Sequence, residues 1–270
     1  MNLSEIRKYF AEYSIEYVGI CKFSEIFPLL ECRAKNRIPE NAQTVVLCLF
    51  PYYAGEYEER NISRYALGSD YHNVAGNILK DITFKLRETY PNFKFESFID
   101  SSPIREVDAA VLAGLGSKGL NNQLINEKYG TYTFIGEIVT DAIVFNENLK
   151  IQTNLCLNCK KCINSCPTKA LSENGFEKEI CRSFITQKKK DLTDWETEQI
   201  KDGKMVWGCD ICNDVCPCNK KPVLSPISQM YENIQEKITS ENVSKITGKA
   251  YEYRGEKVIK RNIGIIEKKI

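Results

Sequence analysis

The sequence predicts an α+β protein in three parts: an α/β N-terminal domain over 1–150, a small cysteine-ligated module over 151–221, and a short helical tail over 222–270. Three observations predict it. Apolar residues in the first 150 positions alternate between helical and strand periods. Nine of the twelve cysteines crowd between Cys156 and Cys218. Beyond them the apolar spacing turns helical again, near 231–238 and 240–246, before a basic terminus that begins at Lys257.

Taken in order, Leu3, Ile6, Phe10 and Tyr13 share one face of a helix over 3–13, and a short strand follows over 15–20. Residues 26–37 read as a helix. The apolar run Thr44 to Phe50 suits a buried central strand, with Cys48 as core packing, like Cys21 and Cys32. Residues 51–70 carry no periodicity and read as a long loop of the kind that is often functional. Val74, Ile78, Ile82 and Leu86 then mark a helix running to Thr89, which Pro91 stops. Phe93 to Ile99 alternates as a strand and delivers Asp100 at its end. Ser102 reads as an N-cap and Pro103 as the first residue of the next helix. Gly114, Gly116 and Gly119 match G-x-G-x-x-G, yet they follow a helix rather than a strand, so a dinucleotide fold is not implied, and close approach of the backbone to a large flat ligand stays open. Strand-forming segments at 132–139 and 142–145 complete the domain.

Composition narrows the function. A hydrophobic fraction of 43% and a charged fraction of 27% are ordinary for a soluble globular chain, and no apolar run reaches membrane-spanning length. The net charge of +1 gives no global case for nucleic-acid binding. His72 is the only histidine, which argues against histidine-based metal sites and against a Ser-His-Asp hydrolase. Twelve cysteines without a secretory signal point to a reducing, cytoplasmic setting.

The cysteines carry the chemistry. Cys156, Cys159, Cys162 and Cys166, with Pro167 after them, have the C-x2-C-x2-C-x3-C-P spacing of two-cluster ferredoxins, in which the fourth cysteine crosses to the other cluster. Cys209, Cys212 and Cys216-Pro217 repeat the end of that pattern one ligand short, and Cys181 can make up the deficit. The spacing therefore assigns Cys156, Cys159, Cys162 and Cys216 to one [4Fe–4S] cluster, and Cys166, Cys181, Cys209 and Cys212 to the other. Cys218 is spare. Structural zinc needs no third cysteine three residues on and no Cys-Pro ending.

Several motifs together resemble one family. They are Arg64-Tyr-x-x-Gly-x-Asp-Tyr-His72, Asp100-Ser-Ser-Pro103, Ala113-Gly-Leu-Gly116, Lys128-Tyr-Gly130, Gly136-Glu-Ile-x-Thr-Asp141, Cys181-x-Ser183 and Gly208-Cys-Asp-Ile-Cys-x-Asp-Val-Cys-Pro217. In this order they resemble the epoxyqueuosine reductases over most of residues 1–265. The resemblance implies a cobalamin bound by the N-terminal domain and fed electrons by the two clusters. It implies reduction of epoxyqueuosine to queuosine in tRNA, with a flavodoxin- or ferredoxin-type protein as electron donor. The chain departs from the family pattern at Ser117, Gly119, Leu120, Asn122 and Val107. Full-length members also carry a C-terminal helical-repeat domain that grips tRNA, and this chain ends where that domain would begin.

The resemblance makes Asp100 the candidate proton donor and Arg64, Tyr65, Tyr71, His72, Asp100, Gly114, Gly116, Gly119 and Ser183 candidate cobalamin contacts. The helix start after Asp100 favours its carboxylate form, and burial under a corrin favours the acid; the sequence leaves both open. Any tRNA grip falls to Lys257, Lys260, Arg261, Lys268 and Lys269. Two rival readings are another cobalamin-dependent reductase, akin to reductive dehalogenases, and a ferredoxin-like electron carrier or corrinoid-reducing partner.

Overall fold

The structure, a computed structural model, describes residues 1–146 and 154–267. In chain order the N-terminal part comprises α1 (Leu3–Ala11), β1 (Val18–Lys22), β2 (Thr44–Pro51), α2 (Tyr71–Thr89), β3 (Phe95–Ile99), α3 (Glu106–Leu112), a two-strand ribbon β4 (Ser117–Lys118) and β5 (Leu124–Ile125), and β6 (Thr133–Thr140). The main sheet has the order β1-β2-β6-β3 and is antiparallel throughout. The mixed helix-and-sheet class holds, but the alternation of helix and strand does not build parallel crossover units. The N-terminal part is therefore α+β rather than α/β.

Both faces of the sheet are covered, which is why β2 reads as a continuous apolar run and is buried along its whole length. One face carries Val46, Cys48, Phe50, Phe95 and Ile138 against α1 and α2. The other carries Val45, Leu47, Leu49, Phe98 and Val139 against α3 and Ile104. Alternation along each strand sends successive side chains to these two cores.

Five expectations are corrected. Residues 26–37 form no α-helix; Pro28 interrupts the pattern, and only a short 3-10 turn, Arg33–Arg37, forms there. Cys32 lies exposed rather than in the core. The helix after Asp100 starts at Glu106, and Ser102 is not its N-cap: its hydroxyl accepts the Ile104 N–H at 3.1 Å and meets Glu137. Residues 231–238 and 240–246 are irregular chain, although Ile238, Val243 and Ile246 do reach the core. Residues 142–145 add only an isolated bridge, Asn2 to Phe145.

The cysteine-rich segment holds α4 (Lys161–Ser165), the ribbon β7 (Leu171–Ser172) and β8 (Gly175–Phe176), α5 (Arg182–Thr186), α6 (Asp194–Gly203) and α7 (Ile211–Asp214). The C-terminal stretch ends in α8 (Glu256–Glu267). It shares one core with the sheet domain: Ile227, Met230, Ala250, Tyr251, Ile259 and Ile263 pack with Trp207 and with residues of α1 and α2. The expected boundary at 150/151, and Lys268 and Lys269, lie outside the described residues.

Candidate active site and cluster module

Asp100 ends β3 in the left-handed region at φ 59°. That turn swings its carboxylate toward the start of α2, where His72 Nε2 lies 3.2 Å from Asp100 Oδ2. Asp70 caps α2 through the His72 N–H at 3.0 Å, and its Oδ1 also meets His72 Nδ1 at 2.7 Å. The imidazole thus sits between two carboxylates. Burial alone would push His72 down, but the bonds to Asp100 and Asp70 outweigh it and raise it to about 9. The same His72 bond holds Asp100 below the ordinary carboxylate range against the pull of burial. At neutral pH the proton of this array resides on the imidazole, and Asp100 is a carboxylate.

His72 and Asp100 help wall a cavity of about 580 Å³ between the sheet domain, the cysteine-rich segment and the C-terminal stretch. Tyr71 lies flat on Phe134 at 3.8 Å between ring centroids and stacks on His72 at 4.0 Å. Tyr65 stands edge-on to both Tyr71 and Phe134 and accepts the Trp207 indole N–H at 2.7 Å. Ser183, Phe184 and Gln187 face them across the cavity. Thr133, with a buried hydroxyl that has no partner, lines it too.

Of the predicted contacts, Tyr65, Tyr71, His72, Asp100 and Ser183 line this cavity. Arg64 does not. Its guanidinium bonds Glu56 at 2.8 Å and Asp214 at 3.0 Å, tying the long loop to the cysteine-rich segment. Gly114, Gly116 and Gly119 do not line it either. A Cβ on Gly116 would come within 2.3 Å of the Ile125 carbonyl, so that glycine serves the packing of the β4–β5 ribbon. Asn121, Asn122 and Gln123, at the turn of that ribbon, reach the cavity instead, together with Lys178, Trp207 and Tyr253. The only sequence signal for the first three was the departure from the family pattern around Asn122; Tyr253 joins through the tertiary fold alone.

The thiols fall into two groups. Around Cys212, burial and then the proximity of Cys209, Cys181 and Cys166 raise the thiol far above its ordinary value. Cys166, Cys181, Cys209 and Cys212 also share the wall of the large cavity. Cys162 has Cys216 and Cys156 as neighbours, and Cys156, Cys159, Cys162 and Cys216 line a second, small cavity. Asn158 and Lys160 turn the chain between the first cysteines in the left-handed region, at φ 49° and 57°. Cys162 packs beside Cys166, Cys181 and Cys212, so the two groups adjoin. Cys218 lies beside Cys216, Cys156 and Cys159, its thiol donating to the Leu155 carbonyl at 3.4 Å.

A seam of buried polar groups joins the halves. Arg60 bonds Asp210 at 2.6 Å and Asp214 at 2.8 Å. Asn219 accepts the Thr131 N–H at 2.9 Å and donates to the Thr131 hydroxyl and the Asn213 carbonyl, each at 2.8 Å.

Residues 155–219 match the family described as a 4Fe-4S double cluster binding domain, and residues 33–101 match the epoxyqueuosine reductase QueG family. An epoxyqueuosine reductase of Cyclobacterium marinum is 34% identical over 226 residues, spanning 78% of this chain and 71% of that protein. One from Leadbetterella byssophila is 33% identical over 251 residues, spanning 86% of this chain and 80% of that protein. The chain belongs to the epoxyqueuosine reductase family. The crystal structure of an epoxyqueuosine reductase with an epoxyqueuosine-modified tRNA-Tyr stem loop superposes with a TM-score of 0.81 at 23% identity, covering 98% of this chain and 80% of that one, so the fold is shared. The dehalogenase-like and electron-carrier readings give way to an epoxyqueuosine reductase.

The residues fit the groups this family implies. Two sets of four thiols, unmixed with imidazole, are the donor chemistry of cubane clusters. A flat aromatic stack beside a large cavity rimmed by amides suits a broad, mostly apolar macrocycle with polar arms. Among the described residues, no helix is long and apolar enough to cross a membrane.

Proposed function

We propose that the chain reduces epoxyqueuosine to queuosine in tRNA, holding cobalamin in the large cavity. The observation that carries this reading is the cavity itself, with the His72–Asp100 array on one wall and the Cys166, Cys181, Cys209 and Cys212 thiols on another. When bound, cobalamin supplies a cobalt centre that takes electrons from the clusters and passes them to the substrate. Tyr65, Tyr71, His72 and Ser183 would contact the corrin and fix its position. Cys156, Cys159, Cys162 and Cys216 ligate an outer cluster, and Cys166, Cys181, Cys209 and Cys212 an inner one facing the cavity. Cys159 is exposed, which suits the outer cluster to receive electrons from a flavodoxin- or ferredoxin-type donor.

Asp100 is the catalytic residue. It takes the proton held by His72 and presents it to the oxygen of the opening epoxide, while Asp70 keeps the imidazole turned toward it. For tRNA, α8 offers Lys257, and Lys260, which pairs with Glu256 at 2.5 Å. Arg261 is already engaged with the carbonyls of Lys188 and Lys190, at 2.8 and 3.2 Å.

The test is anaerobic reconstitution with iron, sulfide and cobalamin, followed by an assay on tRNA carrying epoxyqueuosine. Asp100→Asn is expected to bind cobalamin with the parent's spectral change, and to lose roughly 10²- to 10⁴-fold in turnover. A parent that binds cobalamin yet leaves this tRNA unreduced would sink the reading. A fully active Asn variant would return Asp100 to a structural turn.

A further inference from the structure

Reducing an epoxide to an alkene breaks both carbon–oxygen bonds and releases the oxygen as water, so the reaction consumes two protons with its two electrons. The Asp70–His72–Asp100 array holds one. The second has a source immediately behind Asp100.

Glu137 sits mid-strand in β6, paired with Leu47 on one side and Phe98 on the other, and is 0% exposed. It projects into the apolar core beneath α3, whose first residue is Glu106. Ser102 bonds one oxygen of Glu137, and the Asp100 backbone N–H bonds one oxygen of Glu106. The other oxygen of each carboxyl is buried without a partner. Among the described residues neither forms an ion pair. The titratable groups near them are Cys21 from β1, Tyr71 from α2 and Asp100 after β3, with Cys48 on the opposite face of the sheet; none of them is a cation. Burial, then Glu137 and Asp100, push Glu106 upward; burial pushes Glu137 upward against the Ser102 bond. With one oxygen of each buried and unpartnered, the two carboxyls favour holding a proton over ionising together.

A route outward exists. A small cavity of about 110 Å³ is lined by Glu106, Asp100, Gln123 and Thr133, which is room for water. Asp100, Gln123 and Thr133 line the large cavity as well, and the unpartnered Thr133 hydroxyl stands between the two.

We propose that Glu106 and Glu137 share one proton behind Asp100 and deliver it, through the Thr133 side of the small cavity, as the second proton of the reduction. The electrons come from the clusters and cobalamin of the function proposed above; the proton neutralises the departing hydroxide as water, and solvent entering the small cavity returns a proton to the pair. This rests on the function proposed above, and the test separates the two.

Infrared spectroscopy of the anaerobic, cluster-loaded protein reads a protonated carboxyl at neutral pH without any substrate. A carboxylic-acid carbonyl band is expected in the parent, shifted in frequency in either Glu106→Gln or Glu137→Gln, and absent when both are replaced. Glutamine keeps an acceptor for each existing bond, and Glu106, at the edge of α3, serves if the deeper Glu137 variant does not fold. Single turnover on epoxyqueuosine tRNA should fall about 10²-fold in either variant with KM unchanged. The alkaline limb of the pH–rate profile should also move to lower pH. No acid band in the parent, or variants with the parental pH profile, would overturn the shared proton. A parent with the band but no reduction of this tRNA would overturn the delivery step together with the proposed function.

Discussion

His72 titrates alone, since the chain has no other histidine, so its protonation can be followed without assignment. Sequence reasoning set a helix start against corrin burial to decide the state of Asp100, and neither decides it. A third group does: His72, two residues past the Asp70 cap, donates to Asp100 and keeps it ionised. The sign of the pH dependence follows. His72 is raised from an ordinary 6.5 to about 9, so the stabilisation from its two carboxylates is complete below the ordinary value and lost as pH rises through about 9. The imidazole resonance should therefore inflect near the upper value, and turnover should fall through the same range. Asp70→Asn should draw both inflections downward; an imidazole titrating at the ordinary value in the parent would show that the carboxylates do not grip it.

At the scale of elements, the seam between sheet and cysteine-rich segment depends on close approach. Gly130 has φ 57°, and a Cβ there would fall 1.9 Å from Asn219 Oδ1, the atom that accepts the Thr131 N–H. Gly248, at φ 75°, has nothing within 4 Å of the same added atom. Gly248→Ala should thus cost only the left-handed strain, about 1–2 kcal/mol. Gly130→Ala adds overpacking of roughly 1–3 kcal/mol to the same strain. Denaturant unfolding under anaerobic conditions would compare them, and equal costs would mean the seam yields freely. What was legible in the sequence follows the same physics. The α2 stripe of Ile78, Ile82 and Leu86 and the unbroken β2 run each bury a regular face, and periodicity reports that directly. Residues 226–250 bury Ile227, Met230, Ile238, Val243 and Ile246 one at a time along an irregular path, so helical spacing there was coincidental. Gly116 and Gly119 carry a ligand-binding signature but serve the packing of a ribbon, whereas the cavity residues Asn121 and Gln123 are marked only by the departure from the family pattern around Asn122.

Over the whole molecule, the order of parts along the chain crosses in space. The first cysteine run sends Cys166 to the group of Cys181, Cys209 and Cys212, and the second sends Cys216 back to Cys156 and Cys162. This exchange brings the inner thiols to the large cavity and leaves the exposed Cys159 in the outer group. Cys181 and Cys218 are the two residues whose roles spacing alone had to apportion. Cys181 neighbours Cys166, Cys209 and Cys212, while Cys218 stands by the outer group with its thiol donating to a carbonyl. Two cubane clusters need about eight irons per chain. Cys181→Ala should lower the content to about four by losing the inner cluster, which separates the cavity from its electrons and so abolishes turnover. Cys218→Ala should keep about eight and remain active. Anaerobic iron analysis with electron paramagnetic resonance of the reduced proteins distinguishes the outcomes, because the parent's two adjacent clusters couple magnetically and a single remaining cluster cannot. The reverse result, four irons without Cys218 and eight without Cys181, would mean that Cys218 completes a cluster and the crossed assignment is wrong.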